Sequence, residues 1–331
     1  MTVGWGIIGT GFIADRGIAP HIQEVAESEL VAVVSRDQGR ADEFVRKHSA
    51  RRAYTRYDQL LSDPEVQVVA IHTPNALHAD QAIAAARAGK HVLCDKPMAT
   101  SVADAKRVLD ECSKAGVRLG INFQTRYHAC FLEARRLIQA DALGEVQLVE
   151  VEVSNGGSPL RNWRTEPELA GLGTINNIGV HAYDLLRFLL GAEITEVSTL
   201  TDVGRKPELE VMAISLFRFS NGAMAYANAN QAYPNNLPEI TVYGSKGRIT
   251  ASNVTRPWMD GEMRVLVDSD EKVTKESSQD CYRRVIDDFN HAVLEKREPH
   301  ATGEDGLRSV QLTDAMARSA REGRTVELVY S

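Results

Sequence analysis

Lys96 stands between Asp95 and Pro97, just past a short apolar run that reads as a buried strand. A partly desolvated ammonium there can titrate near neutrality, take the proton of a hydroxyl when neutral, and polarise a carbonyl oxygen when protonated. The plain alternative is a surface lysine at a strand end. The carboxyl end of a parallel strand, where such folds bind ligands, favours the chemical reading. Asn177, His181 and Asp184 are spaced i, i+4, i+7, so a helix would gather them on one face, apart from the stripe of Ile178, Ala182, Leu185 and Leu189. Such a face suits meeting a ligand's hydroxyls or assisting Lys96; a hydrated helix surface is the alternative. Trp163-Arg164 sets an aromatic plane beside a guanidinium in a Gly- and Pro-containing stretch. That pair suits stacking on a flat ring and holding an oxygen, or else anchors a loop.

Gly9-x-Gly11-x-x-Ala14 lies between an apolar run and a helical pattern; alone it could be a tight strand–helix turn, but here it opens a long βαβ pattern. The first glycine permits a tight turn, the second lets a pyrophosphate approach the backbone, and Ala14 allows close helix–sheet packing. The helix N-terminus then offers N–H groups to the anion. Hydride transfer involving a dinucleotide is the chemistry that would employ Lys96. At the end of the second strand stand Ser35 and Arg36, with Arg40 one helical turn on. A hydroxyl and guanidinium there fit the 2′-phosphate of NADP, where an NAD protein would carry a carboxylate. Asp37 is close by, and a strand end shifted by two residues restores NAD.

These residues need a scaffold, and the first ~120 residues supply one. Strands are expected at Val3–Ile8, Leu30–Val34, Val68–Ile71, Val92–Leu93 and Val117–Ile121. Helices are expected at Gly11–Ala26, Arg40–His48, Ala79–Ala88, and from a Ser101 cap to Gly116. Such alternation predicts a doubly wound parallel sheet, a Rossmann domain over residues 1–122. The pattern then changes. Val149, Val151 and Val153 alternate with Glu150 and Glu152, and Ser220-Asn221-Gly222 joins two strand-like runs as a hairpin. Residues 123–331 are thus expected to form an α/β domain on an open, largely antiparallel sheet. It carries a helix with Tyr282, Val285, Ile286 and Phe289 on one face, and a last helix at about Glu304–Arg321.

Composition narrows the partners. The net charge is -7 and no Lys/Arg block appears, so a nucleic-acid surface is excluded. The apolar runs, such as Val66–Ile71, fall far short of the ~20 residues a membrane helix needs. The 4 cysteines form no CxxC pair and have no histidine at metal-ligand spacing. Reduced thiols, a cytoplasmic location and no metal site are the expectation. An open sheet face predicts a homodimer or homotetramer.

His72-Thr73-Pro74-Asn75-Ala76-Leu77-His78, followed by Ala88-Gly89-Lys90-His91-Val92-Leu93-Cys94-Asp95-Lys96-Pro97, resembles the Gfo/Idh/MocA oxidoreductase family. The resemblance extends through Asn162-Trp163-Arg164, Asn177–Leu190 and Ala301-Thr302-Gly303-Glu304-Asp305-Gly306, and its motifs are nearest the 1,5-anhydro-D-fructose reductase group. It implies an enzyme that oxidises or reduces a sugar, keto-sugar or cyclic polyol with NADP or NAD. A dihydrodiol or deoxysugar reductase, or an NADP-binding sensor without catalysis, are the alternatives. By the same resemblance Gly9, Thr10, Gly11, Phe12 and Ile13 meet the pyrophosphate, and Ser35, Arg36 and Arg40 the adenosine end. His72, Thr73, Pro74, Asn75, Leu77 and His78 line the cofactor cleft, while Asp95, Lys96 and Asn122 approach the nicotinamide end. Trp163, Arg164 and Tyr282 reach the cofactor from the second domain; Lys96, His181 and Asn177 are the catalytic candidates. Two positions depart from the family: Asp95 replaces a glutamate, and Asn177 replaces the aspartate that usually precedes His181 by four residues.

Overall fold

The structure, a computed structural model, describes residues 2–158, 160–202, 209–231, 239–255, 258, 260–277 and 280–330. Its contacts divide the chain into two units, Met1–Phe123 with Tyr282–Val310, and Gln124–Cys281 with Gln311–Ser331.

The first unit is built on β1 (Val3–Ile8), β2 (Ser28–Val34), β3 (Arg52–Tyr54), β4 (Val68–Ile71), β5 (His91–Cys94) and β6 (Leu119–Ile121). They form one sheet in the order β3-β2-β1-β4-β5-β6, every pair parallel. This is the expected Rossmann arrangement. β1 and β4 are buried throughout, the mark of a sheet covered on both faces. β1 and β4 have the bounds the apolar runs predict, and the helix Val102–Ala115 starts at a Ser101 cap and ends on Gly116 at φ 67°. The helix after the glycine turn is interrupted: residues 14–18 take a π turn before the α-helix Ala19–Glu24. β3 was not expected, because half-buried Arg-Ala-Tyr lacks an apolar run; Arg52 is held there by Asp63 and Glu65.

The helix Cys281–Leu294 carries the expected apolar face, but from Tyr282 onward it packs with the first unit rather than the second. Phe289 tilts against Trp5 at 5.8 Å between centroids, and Gly120 leaves no room for a Cβ beside Phe289. A single cut near residue 122 therefore does not separate the contacts.

The second unit holds β7 (Val146–Ser154), β8 (Ile194–Thr201), β9 (Met212–Phe219), β10 (Met224–Asn230), β11 (Glu239–Gly244), β12 (Gly247–Ser252), β13 (Asp260–Val267), β14 (Asp270–Ser277) and β15 (Val326–Glu327). Their order is β14-β13-β12-β11-β7-β10-β9-β8-β15, antiparallel except that β7 and β10 run parallel. The hairpin at Gly222 (φ 89°) is as expected. Val149, Val151, Val153, Ala225, Ala227 and Ala229 face a core closed by Phe131, Leu185, Leu186, Leu189, Leu312 and Met316. The opposite face leaves Leu200, Leu216 and Met224 exposed. Among the described residues, no helix is long and apolar enough to cross a membrane, and no cluster suits a metal ion.

Candidate functional site

In the first unit the functional candidates gather where the strands end. Gly9 turns the chain at φ 103°, and a Cβ there would lie 2.4 Å from the carbonyl oxygen of His72. Only glycine fits both demands. Gly11 differs: it is exposed, and a Cβ would meet nothing nearer than 3.9 Å. The open space beside Gly11 leaves room for a pyrophosphate to approach the backbone at the start of the helix. Ala14 is wholly buried, as its packing role demands. Phe12, at the start of the helix, and Leu77, in the short turn Asn75–Leu77, expose large apolar side chains, while Thr10 and Ile13 are half-buried.

β2 ends at Val34, so Ser35 and Arg36 are the first residues beyond it. Ser35 is buried and its hydroxyl lies 3.4 Å from Thr10 Oγ1 and from the backbone nitrogen of Asp37. Asp37 caps the helix Gln38–His48, its carboxylate accepting the Arg40 backbone N–H at 2.8 Å. Arg36 and Arg40 are exposed.

His72, Asp95 and Asn122 are the residues immediately after β4, β5 and β6, and parallel register brings them into one row. His72 Nδ1 donates to Asp95 Oδ2 at 3.2 Å, while Asp95 Oδ1 accepts the Lys96 backbone N–H at 2.9 Å and Asn122 Nδ2 at 3.4 Å. Burial alone would raise the Asp95 carboxyl. The His72 hydrogen bond and the charges of His72 and Lys96 overcome it and hold the group well below the usual carboxylate range. His72 Nε2 and Asn122 Oδ1 are buried with no partner. One imidazole nitrogen and one amide oxygen thus await a polar group, which a ribose or carboxamide would supply. Together with the glycine cradle, this makes the residues present fit a dinucleotide.

Lys96 is half-buried beside this row. Its loop is braced by His78, whose ring lies between the carbonyl oxygens of Pro97 at 2.8 Å and Thr73 at 2.9 Å. Burial pushes the His78 imidazole toward its neutral form. His78 is only 1% exposed, so it holds the loops from behind rather than lining a cleft. Thr73 Oγ1 donates to Gln81 Oε1 at 2.6 Å, Pro74 is half-buried, and Asn75 is buried. Tyr282 needs a larger correction: it is 1% exposed, belongs to the first unit, and packs on Gly17 and His21.

In the second unit, Asn177 lies on a π turn, Ile175–Gly179, that leads into the helix Val180–Leu190. Asn177 and His181 are half-buried, but Asp184 does not share their surroundings. It is buried and accepts two bonds from Arg126, at 2.6 and 2.5 Å. Next to Arg126, Thr125 Oγ1 shares a 3.4 Å hydrogen bond with His181 Nδ1. Arg164 lies over the Trp163 ring at 4.3 Å and donates from Nε to Asn177 Oδ1 at 3.1 Å. Asn177 Nδ2 donates to Gln231 Oε1 at 2.7 Å. Glu210 anchors the same turn by accepting the backbone N–H groups of Gly173 and Ile175, and burial raises its carboxyl. Sequence reasoning missed Thr125, Glu210 and Gln231, which carry no motif, and gave Arg126 no role.

A profile for an oxidoreductase family with an NAD-binding Rossmann fold matches residues 3–123, and its C-terminal alpha/beta companion matches residues 135–328. A 1,5-anhydro-D-fructose reductase of Ensifer adhaerens is 30% identical over 98% of each chain. A D-xylose 1-dehydrogenase (NADP(+)) of Haloferax volcanii is 31% identical over 98% of this chain and 99% of its own. The crystal structure of an aldose-aldose oxidoreductase from Caulobacter crescentus, complexed with glycerol, superposes with a TM-score of 0.92 at 31% identity, covering 99% of this chain and 100% of that one. The parallel sheet, its glycine turn and the row beyond β4, β5 and β6 thus sit in a chain that belongs to the Gfo/Idh/MocA oxidoreductase family.

Proposed function

We propose that this protein is an NADP-preferring oxidoreductase acting on a carbinol or carbonyl carbon of a sugar, keto-sugar or cyclic polyol. The observation that carries the reading is the row His72–Asp95–Asn122, with Lys96 next in the chain, at the carboxyl ends of three parallel strands. The relatives named for 1,5-anhydro-D-fructose, D-xylose and aldoses support the substrate class.

When bound, the nicotinamide supplies the hydride acceptor for oxidation and the donor for reduction. Gly9, Thr10, Gly11, Phe12 and Ile13 hold the pyrophosphate, and His72, Thr73, Pro74, Asn75, Leu77, Asp95 and Asn122 fix the nicotinamide end. Asp95, kept ionised, orients the loop through the Lys96 backbone N–H. In oxidation neutral Lys96 takes the hydroxyl proton at Nζ as the carbon gives up its hydride and the C=O bond forms. In reduction the ammonium returns that proton to the oxygen. His181 and Asn177 bind hydroxyls, with Trp163 and Arg164 beside them. Residues 1–122 supply the dinucleotide-binding part and 123–331 the substrate part, with the chain returning to the first unit at Tyr282. Exposed Leu200, Leu216 and Met224 support self-association through the open sheet face.

The cofactor preference rests on Ser35, Arg36 and Arg40, and on Asp37 being engaged as a helix cap. Charge-assisted bonds to a 2′-phosphate should make NADPH bind more tightly than NADH by about 1–3 kcal/mol. Calorimetric titration tests this. Equal or reversed affinities refute it, and Arg36→Ala should erase most of the difference. A panel of sugars and inositols with NADP and NAD tests the activity: a cofactor-binding sensor would take up NADPH and turn nothing over.

A further inference from the structure

We propose that Gln231 and Asn155 read a substrate hydroxyl, and that Asn177 sets the direction in which they read it. The proposal rests on the polyol reading above and assigns that substrate a contact pair. β7 and β10 are parallel neighbours, with Ser154 opposite Asn230, so the next residues, Asn155 and Gln231, emerge side by side at their carboxyl ends. Asn155 Nδ2 donates to Gln231 Oε1 at 2.9 Å.

Groups that cannot reverse their roles fix the orientation of all three amides. A guanidinium only donates, so Arg164 draws the oxygen of Asn177 toward itself. The Asn177 NH₂ then faces Gln231, which must present its oxygen. At the other end a backbone carbonyl only accepts: the Ser158 oxygen takes a bond from Asn155 Nδ2 at 2.8 Å, turning that amide's nitrogen inward. Gln231 Oε1 thus receives donors from both sides, and its NH₂ is turned away. The outcome is two buried atoms without a partner, Gln231 Nε2 and Asn155 Oδ1, on adjacent amide heads. Gln231 is only 4% exposed.

A buried donor and a buried acceptor left unmade each forfeit the hydrogen bond they had with water, and folded proteins rarely tolerate that without a reason. The ligand group that completes both is one that accepts and donates. A carbonyl or carboxylate satisfies Gln231 alone, and an ammonium satisfies Asn155 alone. A hydroxyl, or a vicinal pair, accepts from Gln231 Nε2 and donates to Asn155 Oδ1. An aspartate at 177 would reverse the relay, because a carboxylate would draw the Gln231 NH₂ toward itself and leave its oxygen outward.

The test uses the full chain loaded with NADPH, titrated calorimetrically with D-xylose, D-glucose and myo-inositol, alongside initial rates with NADP. Gln231→Glu keeps the volume and an oxygen for both amide donors but removes the outward N–H; Gln231→Met removes all polarity. In each variant the Kd and KM of the best-bound probe should rise at least tenfold, with kcat within threefold and NADPH affinity unchanged. Values within twofold of the parent in both variants overturn the proposal, as does failure of every probe to bind the parent chain. If a probe binds, weakens in both variants, and is never oxidised, the hydride-transfer reading fails while the hydroxyl contact stands. Should Gln231→Met unfold, the isosteric Gln231→Glu decides alone.

Discussion

The carboxyl edge of the six-stranded sheet and the amide group of the second unit obey one rule, yet they differ in how much of the work the backbone does. In the first, His72, Asp95 and Asn122 are the residues following three adjacent parallel strands; register sets them side by side, and Asp95 meets His72 at 3.2 Å and Asn122 at 3.4 Å. In the second, only Asn155 and Gln231 are placed by a parallel pair; Arg164 and Asn177 come from irregular segments and are held by side-chain bonds. Backbone placement tolerates substitution on the edge, since the ladder persists. Side-chain placement depends on every partner.

The largest effect should therefore come from a side-chain clamp in the second unit. Arg126 and Asp184 are buried and bidentate, and Asp184→Asn removes the charge of the carboxylate that accepts both guanidinium bonds. Stability to urea should fall by about 3–5 kcal/mol, whereas replacing both partners by apolar residues should recover much of it. A loss under about 1 kcal/mol would mean the second unit does not lean on this pair as argued.

In the first unit, Lys96→Met should leave the fold and NADPH affinity nearly unchanged while kcat falls at least about a hundredfold. Turnover close to the parent's would hand the proton to His181 instead. Gly9→Ala attacks the backbone itself. A positive φ of 103° and a Cβ 2.4 Å from a carbonyl oxygen should cost about 1–3 kcal/mol, with weaker NADPH binding as the loop shifts. Asp95 adds a pH signature. Its carboxyl is held low in the folded chain, so its contribution is present above the unfolded pKa and is lost as pH falls through the folded one. The stability gap between the parent and Asp95→Asn should thus shrink as the pH drops below about 4, and a gap independent of pH would contradict the ionised assignment.

The same contrast explains what could be read from the sequence. Buried parallel strands write themselves as apolar runs, so β1 and β4 were legible to the residue and the glycine turn with them. β3 was not, because its half-buried Arg-Ala-Tyr is held by ion pairs. Val149, Val151 and Val153 announce a strand, but its parallel pairing to β10 is a tertiary fact with no local signal. Gln231 follows a strand-like run that ends at Asn230, but nothing local told that it emerges beside Asn155. Helical spacing placed Asp184 with Asn177 and His181, yet the π turn at Ile175–Gly179 changes the phase and Arg126 claims the carboxylate. Tyr282 misled for a different reason: its position late in the chain hides that the helix returns to the first sheet.

The smallest effect, and the sharpest probe of the second unit, belongs to Asn177→Asp. An amide does not titrate near neutrality, so Asn177 can orient a hydroxyl or His181 but cannot pass on a proton. A carboxylate there adds negative charge four residues before His181, which favours the imidazolium and should move a histidine-dependent limb of the pH–rate profile to higher pH. Arg164, already 3.1 Å from the side-chain oxygen, would pair with that carboxylate and cancel much of its field. The expected shift is therefore upward but under about one pH unit, accompanied by a rise in KM as Gln231 turns. A larger shift would show that Arg164 does not hold position 177. A rise in KM with no shift at all would show that His181 binds substrate without exchanging a proton, leaving Lys96 to handle it alone.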